Sequence, residues 1–172
     1  MNGKFPDGIV LAVCKNANPG VPKNQVDSIH LMEEFGVEGD YHAGKKIRHR
    51  YLAKKDPDMP NHRQVLLIDA QILGDLQKVG IKLVPGQMAE NIVCYGINVM
   101  ALGIGTRLAA GEALLEVTEV RDPCKLLNNS HPDLYKAVIN EINGEKDYTA
   151  GVFARIIRGG KVDTGNSIYV YG

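Results

Sequence analysis

The stretch Gly151-Val152-Phe153-Ala154-Arg155-Ile156-Ile157-Arg158 decides the fold class. Val152, Ala154 and Ile156 recur at every second position, the period of a strand with one face turned inward. Comparable short runs lie near Gly8–Cys14, Gln25–Leu31, Gln64–Ile68, Asn91–Cys94, Arg107–Ala109, Ala113–Arg121 and Ser167–Val170, and each reads as a strand. Nineteen glycines and eight prolines separate them and leave most runs too brief for ordinary helices. Two helices stand out. The first runs from Ala70 to Val79, with Asp69 as N-cap, Ile72, Leu73, Leu76 and Val79 on one stripe, and Gly80 at the left-handed C-terminal position. The second starts at His131–Pro132, carries Leu134, Ala137, Val138 and Ile142, and ends at Asn143–Gly144. Many short strands with two or three short helices predict a mainly β fold, a β-barrel.

At 172 residues and 44% hydrophobic content the chain can bury a core without staples, and residues 1–172 read as a single domain. Twenty Lys plus Arg balance twenty Asp plus Glu, so no global field collects nucleic acid or an anionic membrane. Any anionic partner must be held locally. The three cysteines, Cys14, Cys94 and Cys124, are odd in number and widely spaced, which fits neither a disulfide framework nor a CxxC zinc cluster. The early apolar run Ile9–Cys14 is too short for a secretory core, and nothing approaches a membrane span. These features predict a cytoplasmic protein in a reducing compartment.

Cys124 follows a strand in Arg121-Asp122-Pro123-Cys124-Lys125, where Arg121 and Lys125 favour a thiolate, the form that attacks sulfur or binds a soft metal. An inert, partly buried cysteine remains the other reading. Cys14 and Cys94 lie in apolar runs and read as packing positions. Gly36-Val37-Glu38-Gly39-Asp40-Tyr41-His42-Ala43-Gly44 places Asp40 and His42 among glycines that allow close backbone approach to a ligand, or else form a plain turn. His62-Arg63-Gln64 presents a guanidinium suited to phosphate or to a surface ion pair. Glu90-Asn91 begins a strand where both side chains could face a pocket. Arg155 needs a partner, either a carboxylate or a bound anion. Lys45–Lys55 is a basic stretch that reads as a solvated loop or as a phosphate attractor.

In order, Gly36–Gly44, His62–Gln64, Pro85-Gly86 with Glu90-Asn91, Gly103-Ile104-Gly105, Pro123-Cys124, Gly151–Arg155 and Gly159-Gly160 resemble the MOSC domain, the C-terminal region of molybdenum cofactor sulfurases, in its small free-standing bacterial form. The resemblance spans about residues 8 to 171. It implies a closed barrel of the pyruvate-kinase type and a cleft for the molybdenum cofactor. Cys124 matches the family cysteine that ligates molybdenum or carries sulfur. Arg63 and Arg155 would contact the cofactor phosphate, with Asp40, His42, Gln64, Glu90 and Asn91 at the pocket. The sulfurases' pyridoxal phosphate chemistry belongs to another domain, and no lysine here can be assigned to it.

The resulting expectation is a molybdenum-cofactor enzyme, transferring sulfur or reducing N-hydroxylated compounds through Cys124. The alternative is a non-catalytic carrier of cofactor or sulfur. A sulfur donor or an electron-transfer protein would be its partner, and nucleic acid is not expected to be one.

Overall fold

Small branched residues at every second position make strands, and the computed structural model, which describes residues 8–172, shows where they pair. In chain order the strands are β1 Gly8–Lys15, β2 Asn24–Val26, β3 Ser28–Met32, β4 Gly36–Val37, β5 Val65–Asp69, β6 Ile92–Tyr95, β7 Arg107–Ala110, β8 Ala113–Val120, β9 Ile139–Ile142, β10 Glu145–Tyr148, β11 Val152–Arg158, β12 Gly160–Asp163 and β13 Ser167–Tyr171. The helices are α1 Arg50–Lys55, α2 Ala70–Lys78 and α3 Leu134–Ala137, with 3₁₀ turns at Val99–Ala101 and Lys125–Asn129.

The main sheet runs β13-β7-β8-β11-β5-β6-β1, and β1 pairs back onto β13, which closes a seven-stranded barrel; β2 extends from β1. The pairing of β5 with β6 is parallel, and α2 lies in the connection that such a pair requires. Inward residues fill the interior: Val10, Val13, Leu67, Ile92, Leu108, Leu115, Val152, Ile156 and Ile168 are all fully buried. Closure leaves the ring without a free edge, and β12-β3-β4 forms a small sheet beside it.

Local chemistry explains α2. Asp69 Oδ1 accepts from the Ile72 amide at 3.0 Å, as the N-cap reading expects, and Gly80 takes φ 87°. Two expectations change. The run Gln25–Leu31 is two strands separated by Asp27, one joined to β1 and the other to β12 and β4. The second helix is confined to Leu134–Ala137, and Ile139–Ile142 is a strand paired with β10. Leu134 and Val138 are buried, but Ile142 is 56% exposed, so the expected apolar stripe has no core to meet beyond Val138. Asn143 and Gly144 take φ 53° and 80°, both left-handed, the pattern of a tight hairpin rather than of a helix end. The basic stretch contains the short helix α1, which buries no residue.

Candidate functional site

Leu66 and Phe153 face each other across β5 and β11, and both line a cavity of about 570 Å³. Their neighbours Val65, Leu67, Val152 and Ala154 belong to the core, so strand alternation puts the cavity against the outside of the barrel wall. Parts of residues 19–23, 41–51 and 121–129 close over it. Gly86 helps to seat the first of these segments: its carbonyl accepts from the Lys23 amide at 2.9 Å, and at φ 94° an added Cβ would run into the Lys23 carbonyl.

Cys124 lines this cavity and is half-buried, at the start of the 3₁₀ turn that follows β8. Cys14 and Cys94 are sealed in the barrel, and burial pushes both thiols up to about 12. The lining side chains carry an excess of positive charge, from Lys23, Arg48, Arg50, Arg63, Arg121 and Lys125, against the carboxylate of Asp122. Arg48 lies over the Tyr41 ring at 4.3 Å.

Arg121 is 5% exposed, and its Nη1 donates to the Met88 carbonyl at 2.6 Å and, more loosely, to that of Ala150 at 3.4 Å. Burial lowers its pKa while Cys124, Glu90 and Asp122 act the other way; a guanidinium nevertheless keeps its proton. Lys23 donates to both oxygens of Asp40 at 2.8 Å. Burial alone would raise the Asp40 carboxyl, but His42, whose Nδ1 stands 3.7 Å away, and the Lys23 ammonium hold it well below the usual range. The amides of Asn16 and His42 add hydrogen bonds at 3.0 and 3.1 Å. His49, also on the cavity wall, has a buried Nδ1 without a partner, and burial followed by the Arg63 charge lowers its pKa, leaving a neutral imidazole. A soft thiol, a neutral imidazole and a cationic wall together suit an anionic ligand that bonds through sulfur.

The family model of the MOSC domain matches residues 38–169, most of the chain. The chain belongs to the MOSC family. No curated protein matches it significantly. Among solved structures it is similar to the YuaD protein from Bacillus subtilis, with a TM-score of 0.77 and 18% identity over 96% of this chain and 97% of that one. YiiM from Geobacillus stearothermophilus gives 0.64 and 19% over 95% and 74%. YiiM from Escherichia coli gives 0.60 and 20% over 95% and 70%. At these identities the likeness is one of fold.

The MOSC barrel brings Cys124, His42, Arg63 and Asn91 to one cavity. Asn91 does so while tying strands together: its Oδ1 accepts from the Leu66 amide and its Nδ2 donates to the Cys14 carbonyl, each at 3.1 Å. Asp40 stands behind the wall, holding Lys23. Gln64 does not reach the cavity, because its amide bonds the Ile156 amide and the Asn61 carbonyl, each at 2.8 Å. Glu90 is wholly buried, with its oxygens on the amides of Gly86 at 2.5 Å and Met88 at 3.0 Å. The expected pair Arg63 and Arg155 is not assembled. Arg155 lies outside the cavity lining, bonded to Glu116 at 3.0 Å and Glu34 at 3.2 Å. Arg63 reaches the wall with its charge already met, its Nε on Glu119 at 2.5 Å and its Nη2 on Asp122 at 2.9 Å. Sequence reasoning passed over Lys23 and Asn61. Asn61 carried a readable signal, a short amide beside a strand start; it holds the carbonyls of His42 and Gly44 at 2.9 Å.

Proposed function

We propose that this MOSC protein binds the molybdenum cofactor in the cavity, with Cys124 as the protein ligand to the metal, and reduces small N-hydroxylated compounds there to the amine-level product and water, with two electrons from a separate electron-transfer protein and two protons from solvent. The observation that carries the reading is the placing of the three thiols: Cys124 is on the cation-rich wall, and the other two are sealed in the core. The donor set suits that group. Thiolate is a soft ligand appropriate to such a metal, the cations Arg50 and Lys125, which make no ion pair among the described residues, suit a phosphate-bearing pterin, and the volume falls in the usual range for ligand sites. When bound, the cofactor supplies two-electron redox chemistry. The chain orients and shields: Leu66 and Phe153 contribute apolar surface to the wall, Asp40 fixes Lys23, and His49 adds an imidazole whose Nδ1 is buried.

Protein purified from a cofactor-competent host should contain molybdenum and pterin near one per chain. The Cys124→Ala variant should fold with unchanged stability, since the side chain is only half-buried, and lose most of the metal. Wild-type protein free of both metal and pterin from such a host would sink the reading. The partial exposure of Cys124 also favours a second role, carrying sulfur for a partner protein. A Cys124 peptide heavier by one sulfur atom, on protein lacking molybdenum, would select it.

A further inference from the structure

Arg121 is the most deeply buried cation of the cavity wall after its neighbour Lys23 is matched with Asp40, and the two differ in one respect. Lys23 has a carboxylate against it; Arg121 has none within ion-pair distance among the described residues. The buried Glu90 acts on Arg121 through its charge, but its oxygens are already occupied by the amides of Gly86 and Met88, and burial pushes it toward its neutral form. The Arg121 guanidinium spends one nitrogen, Nη1, on backbone carbonyls. Among the described residues, the side-chain polar atoms buried without a partner are His49 Nδ1 and Ser130 Oγ. Nε and Nη2 of Arg121, which have no hydrogen-bond partner among the described residues, are therefore not among these sealed atoms, and Arg121 lines the same cavity as Cys124. A buried charge without a counter-ion is costly, and proteins retain one where a ligand supplies the opposite charge.

We propose that Arg121 forms, beside Cys124, a subsite for a tetrahedral oxyanion, with the guanidinium donating Nε and Nη2 hydrogen bonds and the thiol lying within reach of the bound group. Lys125, exposed and on the same wall, adds charge at the rim. This deepens the cofactor reading by assigning the anionic end of the ligand to Arg121 rather than to Arg63, whose fork is already engaged by Glu119 and Asp122. The oxyanion can be a metal oxyanion or a phosphate monoester, and the two present the same face to a guanidinium.

The test uses the protein without cofactor, so it stands apart from the question of molybdenum content. Alkylation of Cys124 by iodoacetamide is followed by peptide mass spectrometry at constant ionic strength, with molybdate, phosphate or chloride as the added anion; the sealed Cys14 and Cys94 serve as unreactive references. Millimolar oxyanion should slow the modification of Cys124, and chloride should not. In Arg121→Met, and in Arg121→Lys, which keeps the charge but loses the fork, the half-protecting concentration should rise about tenfold or more. Arg155→Met should protect like wild type. A lower half-protecting concentration for molybdate assigns the subsite to the metal end of the ligand, and a lower one for phosphate to the phosphate end. No protection of the wild-type thiol by either oxyanion, or equal protection in the folded Arg121→Lys variant, overturns the proposal.

Discussion

Asp40 keeps its charge in a place where water cannot reach it because an ammonium stands against both of its oxygens. Lys23 is 5% exposed, so neither partner can turn to solvent if the other is removed. Asp40→Asn preserves volume but leaves the Lys23 ammonium buried beside a neutral amide, and the expected loss is about 3 to 5 kcal/mol in urea unfolding. Replacing both residues by apolar ones of similar size should restore much of that loss. An Asp40→Asn cost under about 1 kcal/mol would show that the pair contributes little. Asp40 was legible in the sequence because a glycine-flanked acid before an imidazole is a local pattern. Lys23 was not, because its partner stands 17 positions away and only the folded chain brings them together. Arg155 shows the complementary limit. Its residue type demands an anion, but register decides which: Glu116 is its partner across β8 and β11 and Glu34 approaches from a loop, so the carboxylates take the place that sequence reasoning shared with a phosphate.

At the scale of elements, signals carried within a few residues were readable and those settled by distant packing were not. α2 declares itself through Asp69, the buried Ile72 and Leu76 of its stripe and Gly80, whereas Val79, expected on that stripe, is the exposed residue at which the helix ends. β9 and β10 contain the same kinds of residue as a helix end, and the deciding fact is that Ile142 finds no core to join. Asn143-Gly144, the strongest local hairpin signal, was the better guide there. Asp69 does more than cap. Its Oδ1 accepts from Ile72 and its Oδ2 from the Val99 amide at 2.8 Å, so one carboxylate ties α2 to the 3₁₀ turn after β6. Asp69→Ala removes a cap worth about 1 kcal/mol and leaves a buried amide unmatched at a further 1 to 3 kcal/mol. A total of about 2 to 4 kcal/mol is expected in chemical denaturation. Asp69→Asn, which retains an acceptor for one of the two amides, should lose about half as much. Equal losses for the two variants would remove the capping account.

For the whole molecule, barrel closure decides how stability responds to pH. The first described strand pairs with the last, so no seam opens without exposing the core, and Cys14 on β1 and Cys94 on β6 meet water only when the ring comes apart. Both thiols have folded values of about 12 against an ordinary 9.0. Above pH 9 the unfolded chain therefore releases two protons that the folded one keeps, and stability falls with rising pH by about 1.4 kcal/mol per unit per thiol. Lys23 acts in the opposite sense. Burial lowers its pKa, so the folded chain loses that proton first and recovers part of the loss. On the acid side the depressed Asp40 contributes stability above about pH 4 that is lost as the pH falls through its folded value. Urea unfolding at pH 7 and at pH 10.5 separates these groups. Wild-type protein should lose on the order of 3 kcal/mol between the two. The double variant Cys14→Ala, Cys94→Ala starts lower, because each truncation leaves a small void, yet should lose less than half as much over the same interval. An alkaline loss as large in the double variant as in wild type would mean that groups other than the sealed thiols govern it.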